Sequence, residues 1–79
     1  MNQTIFERVR TIVADVLEVS EARITPASSA ETLETWDSLQ QLNLILALEQ
    51  EFDLQFEPEE MERMDSVARI VELLDGKGK

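Results

Sequence analysis

Asp37 and Ser38 sit immediately before an apolar stretch beginning at Leu39. In the first turn of a helix, free backbone N–H groups and the helix dipole favour an added anion. A hydroxyl at that place can therefore carry a phosphodiester, or it can serve with Asp37 as an ordinary helix-capping residue. Few other residues offer chemistry. The 79 residues include no histidine and no cysteine. The commonest general base, thiolate catalysis, disulfides and Cys/His zinc sites are thereby excluded. Carboxylates, hydroxyls and a few cations remain, a set that favours binding or carrying over catalysis. Adjacent acids such as Glu59 and Glu60 do not face one site on a helix. No Asp-x-Asp-x-Asp-Gly pattern marks a calcium loop.

The elements that must position Ser38 read as helices. Ile5, Val9, Ile12, Val13, Val16 and Leu17 fall on one stripe, predicting a helix over about residues 4–18, with Thr4 and Glu7 at capping-box spacing. Residues 19–36 lack periodicity. Pro26, Ser28, Ser29 and Thr32 mark a long loop with one helical turn near 29–34, pinned by Ile24 and Leu33. The second helix is expected over about 38–51, capped by Asp37 with Gln40 at the capping-box position. Its apolar face is Leu39, Leu42, Ile45, Leu46, Leu48 and Phe52. Leu44 lies off that stripe, either covered by the long loop or exposed to a partner. Pro58 suits the first position of a short third helix, with Met61 and Met64 pointing inward. Asp65 is the expected cap of a last helix bearing Val67, Ile70, Val71, Leu73 and Leu74, and residues 76–79 are a frayed tail. The fold class is all-α: one domain, a four-helix bundle of three long helices and one short, with a long loop between the first two.

The net charge is −10, from 7 basic and 17 acidic residues. No basic residue lies between Arg23 and Arg63. Nucleic acid and anionic membranes are poor partners for such a surface, and basic patches on proteins are good ones. The start of the chain has no basic n-region followed by an apolar h-region, and no run is long enough to cross a bilayer. A cytoplasmic monomer is expected.

The segment from Asp37 to Phe52, Asp-Ser-Leu-Gln-Gln-Leu-Asn-Leu-Ile-Leu-Ala-Leu-Glu-Gln-Glu-Phe, resembles the phosphopantetheine attachment motif of acyl carrier proteins without a gap. Ile5 to Val9 with Leu17 to Val19 resembles that family's first helix, Ile24 to Ser29 its loop, and Glu59-Glu60 and Ser66-Val67 its last two helices. The resemblance covers nearly the whole chain. It implies a non-catalytic carrier with a covalent 4'-phosphopantetheine arm on Ser38, flanked by the motif residues Asp37 and Leu39. A phosphopantetheinyl transferase would move the arm from coenzyme A, with Asp37 helping to position the transferase's divalent metal. The arm's thiol supplies the sulfur the sequence lacks, and acyl cargo rides on it as a thioester between acyl-loading, acyl-transfer or condensing enzymes. Cargo could also shelter between the helices if the bundle opened a cleft, for which its Leu, Ile and Met residues are suited.

Three positions depart from the fatty-acid type of the family. Trp36 replaces a small residue, and Gln40 and Asn43 replace acids that normally meet basic patches on fatty-acid synthase enzymes. The expectation is a dedicated carrier of a specialised pathway. Its partner-facing residues are expected among Trp36, Gln40, Asn43, Leu44, Glu49, Glu51, Glu59 and Glu60. Trp36 has a second reading, as a residue packed over the bundle's end. Asp65-Ser66-Val67 imitates the attachment motif but lacks the following Ala-Leu-Glu-x-Glu-Phe, and reads as a helix cap. The rival from another class is a helical adaptor with no prosthetic group, which would tolerate Ser38→Ala.

Overall fold

Four α-helices account for most of the structure, a computed structural model that describes residues 2–79. They are α1 (Gln3–Leu17), α2 (Ser38–Phe52), α3 (Pro58–Met61) and α4 (Val67–Gly76), with a single 3-10 turn at Glu21–Arg23. Among the described residues there is no strand beyond one isolated antiparallel bridge between Ser29 and Ser66. Among the described residues, no helix is long and apolar enough to cross a membrane.

α1 packs against both α2 and α4. Its buried side is Ile5, Phe6, Val9, Val13, Ala14 and Leu17, while Ile12 and Val16 are only partly covered. The helix begins earlier than its capping-box spacing implies. Asn2 is the cap, its Oδ1 accepting the Ile5 N–H at 3.1 Å, so Thr4 lies inside the first turn. α1 ends at Glu18, which takes a left-handed conformation (φ 57°) while the Val19 N–H donates to the Ala14 carbonyl. Asp53 ends α2 in the same way (φ 52°), with the Leu54 N–H donating to Glu49.

The long loop is held by its own hydrogen bonds and by the far end of the chain. Ile24 and Leu33 are buried as the pins expected of them. Ser28 is also buried, and its hydroxyl is satisfied twice: it accepts the Thr25 N–H at 2.9 Å and donates to the Arg23 carbonyl at 3.3 Å. The helical turn expected near 29–34 is a hydrogen-bonded turn, with the Thr32 and Leu33 N–H groups both donating to the Ser29 carbonyl. The Ala30 N–H donates to Asp65 O and the Val67 N–H to Ser28 O, which fixes the loop to the start of α4.

The expected cap of that last helix is corrected. Its cap is Ser66, not Asp65: the Ser66 hydroxyl accepts the Arg69 N–H at 3.3 Å, and Asp65 instead pairs with Arg69 at 3.7 Å. α4 runs through Gly76, the Lys79 N–H donates to Leu74 O, and Lys77 Nζ reaches Glu60 Oε2 at 2.9 Å.

Candidate functional site

Ser38 is the first residue of α2 and is exposed. Asp37 caps the helix as its sequence position requires. Its Oδ1 accepts the Gln40 N–H at 2.9 Å, and its carbonyl accepts the Gln41 N–H at 2.8 Å. The N–H groups of Ser38 and Leu39, in the first turn, have no acceptor within the helix. Beside Ser38 opens a groove of about 470 Å³, walled by Trp36, Gln41, Met61, Glu62 and Asp65 among others. An exposed hydroxyl, free first-turn N–H donors and adjoining open space suit a phosphodiester-linked arm at this position.

The apolar side chains of α2 divide into two stripes, and the division differs from the expected face. Leu44, Ile45, Leu48 and Phe52 are buried. Leu39, Leu42 and Leu46 point outward, with 65%, 54% and 50% of their surface exposed. The sequence reading placed these three on one face with Ile45, Leu48 and Phe52 because eight of the fifteen positions of this helix are apolar, enough for two stripes. The buried stripe is the regular one running 41, 44, 45, 48 and 52, and a polar residue at its head hid it. Gln41 is tolerated there because its amide is satisfied internally: its oxygen accepts the Trp36 indole N–H, and its nitrogen donates to the Met64 carbonyl at 2.8 Å.

The residues expected to meet partners therefore sort into distinct environments. Leu44 is fully buried, so it presents nothing to a partner and the covered alternative holds. Trp36, 3% exposed, is packed over the end of the bundle rather than offered outward. Gln40 and Asn43 pair with each other, Asn43 Nδ2 donating to Gln40 Oε1 at 3.1 Å, on the flank of the exposed stripe. Glu49 is used inside the fold: its Oε2 accepts the Phe56 N–H at 2.8 Å and closes the turn after α2. Glu51 pairs with Arg8 at 3.0 Å, and the Arg8 guanidinium also stacks 4.2 Å from the Phe52 ring centre. Glu60 accepts the Glu57 N–H at 2.9 Å as well as the Lys77 ammonium. That backbone donor, then Lys77, holds its carboxyl below the ordinary value of 4.5. Glu59 is exposed and makes no ion pair among the described residues.

Sequence reasoning passed over Gln41, Leu42 and Leu46 as functional residues. The available signal was an excess: an amphipathic helix needs one apolar stripe, and residues 39–48 carry two.

The fold and site so described define a class: a small acidic helical domain with an exposed serine at the head of its second long helix. The family described as "Phosphopantetheine attachment site" matches residues 7–74. The acyl carrier protein of Thermosynechococcus vestitus is 42% identical over 79 residues, covering 98% of this chain and 96% of that protein. The chain belongs to the acyl carrier protein family. It is a carrier and not an enzyme, and its prosthetic group is phosphopantetheine, whose thiol holds cargo as a thioester.

Proposed function

We propose that Ser38 carries the arm. Its hydroxyl takes phosphopantetheine from coenzyme A in the active site of a phosphopantetheinyl transferase, with Asp37 holding the helix start in place. The cargo is then passed among acyl-loading, acyl-transfer and condensing enzymes that dock on α2. The observation carrying this reading is continuity: the exposed stripe of Leu39, Leu42 and Leu46 runs along α2 directly from the exposed Ser38. An apolar stripe of that kind, left open on so acidic a domain, suits transient docking by enzymes that must reach the serine. Tethering makes each delivery nearly intramolecular, which is the carrier's contribution to rate.

The partners are those of a dedicated pathway rather than the housekeeping fatty-acid enzymes. Support comes from the flank of the stripe, where Gln40 and Asn43 form a neutral amide pair in place of two acids. Rim charges steer encounter and reject wrong partners, so a neutral flank selects enzymes lacking the matching basic patch. Glu49, Glu51 and Glu60 are engaged within the chain, which leaves Glu59 with Glu57 and Glu62 as the acidic ground near α3. The carrier works as a monomer, a state favoured by its charge of −10.

The test is reconstitution. The holo protein, supplied with its loading and condensing enzymes, should support product formation, and the Ser38→Ala chain should support none. Product formed with Ser38→Ala would return the adaptor reading to the front. Efficient malonyl loading and chain extension by housekeeping fatty-acid enzymes would remove the dedicated-pathway reading.

A further inference from the structure

The groove beside Ser38 lies between the start of α2 and the connection from α3 to α4, and it is the way by which a chain attached at Ser38 would fold back into the bundle. Its wall includes Trp36 and Gln41. Behind them the interior is filled, with Leu44, Leu48, Met64 and Val67 all fully buried. Two polar contacts cross this seam. The indole N–H of Trp36, a buried side chain, donates to Gln41 Oε1, and Gln41 Nε2 donates to the Met64 carbonyl at 2.8 Å. Together they join the long loop, α2 and the α3–α4 connection at one point.

An all-apolar seam could part around an acyl chain and re-form the same kind of contact against it. This seam cannot. Parting it would strand the indole N–H of buried Trp36, the amide of half-buried Gln41 and the Met64 carbonyl against methylenes that offer no hydrogen bond, a cost that rises with each group's burial. The Trp36 ring also occupies the mouth that the chain would use. Resting on the carrier reading above, we infer that Trp36 and Gln41 form a polar latch that closes the bundle to its own cargo, so that this protein carries short or polar acyl thioesters held in solvent. Both residues are thus specificity determinants that act by exclusion.

The test loads butyryl- and octanoyl-phosphopantetheine onto wild type, Gln41→Leu and Trp36→Phe with a broad-specificity transferase. Intact mass first reports loading; absence of loading is a failure of the carrier reading and is seen separately. Hydroxylamine then attacks each thioester carbonyl, forming the acyl hydroxamate and releasing the arm's thiol. Rates are normalised to the matching free acyl-pantetheine. In wild type, the normalised butyryl and octanoyl rates should be equal. In Gln41→Leu, octanoyl cleavage should slow several-fold while butyryl cleavage is unchanged. Trp36→Phe removes the donor together with the five-membered part of the indole, so it should also slow octanoyl cleavage, and it serves if the leucine variant does not fold. Several-fold protection of octanoyl in wild type would overturn the inference. Equal rates in wild type and in every folded variant would overturn the assignment of exclusion to Trp36 and Gln41.

Discussion

On the proposal that Ser38 carries the arm, Asp37 joins stability and modification in one side chain. Its carboxylate accepts the Gln40 N–H, so Asp37→Ala should cost about 1 kcal/mol of stability, the usual effect of losing a helix cap. The variant should also be modified more slowly than wild type at a temperature where both are folded. Denaturant unfolding and the initial rate of arm transfer measure the two effects separately. Glu60 shows a different coupling at the residue scale. Its carboxyl is held below the ordinary value by the Glu57 N–H and by Lys77, so the charged form is the one the fold favours. A depressed carboxyl contributes stability above its unfolded value and loses that contribution as pH falls through its folded value. Lys77→Met should therefore lower the thermal midpoint near neutral pH, and its difference from wild type should shrink toward zero once the pH drops below the carboxylate range. A difference that persisted in acid would mean that Lys77 acts through packing on Phe56, over which its ammonium lies at 5.9 Å, and not through Glu60.

The helices show how far periodicity carries and where it stops. α1 and α4 have one-sided stripes, and their positions were legible to within a residue or two. α2 has apolar residues on two sides, and its core-facing side was read only in part: Ile45, Leu48 and Phe52 are buried as expected, whereas Leu39, Leu42 and Leu46 are exposed, and the polar Gln41 at the head of the buried stripe hid its true register. The half-buried place of Gln41 depends on Trp36 and on the carbonyl of Met64, a residue 23 positions away, which no local pattern contains. The bridge from Ser29 to Ser66 and the replacement of Asp65 by Ser66 as cap have the same origin, since both depend on distant parts of the chain meeting. The helix start at Asp37 and Ser38 was legible because local capping chemistry fixes it, whereas the reading of Ser38 as an attachment point came from the resemblance of the segment from Asp37 to Phe52. The two stripes make opposite predictions. Leu44→Ala should destabilise by about 2–5 kcal/mol, as expected for a filled core position. Leu42→Ala should change stability by no more than about 0.5 kcal/mol, yet weaken docking of a loading enzyme. Unfolding curves paired with loading kinetics distinguish the sides. The helix ends offer a gain. Asp53 holds a left-handed conformation at φ 52°, so Asp53→Gly should stabilise by roughly 0.5 kcal/mol, the relief of strain exceeding the added freedom of the unfolded chain.

Across the whole molecule, a charge of −10 is spread over a body of 29 × 25 × 19 Å. Four ion pairs join the described residues, from Arg8, Arg10, Arg69 and Lys77, and the acids far outnumber the cations available to them. Self-repulsion should make the fold salt-sensitive: about 0.15 M salt shortens the screening length to about 8 Å, and relief of about 1 kcal/mol would raise the midpoint by about 4–8 °C. A midpoint independent of salt would show that the ion pairs already balance the repulsion. On the proposed function, the same charge would keep copies apart and attract basic enzymes, while α2 would supply the apolar contact that charge alone does not.

The central claim is that the arm is joined to Ser38, and intact-mass spectrometry tests it most directly. Wild type, Ser38→Ala and Ser66→Ala would each be incubated with coenzyme A, magnesium and a broad-specificity phosphopantetheinyl transferase. The account predicts one added phosphopantetheine on wild type and on Ser66→Ala, and none on Ser38→Ala. A modified Ser38→Ala chain, or a wild type that several transferases leave unmodified, would contradict it.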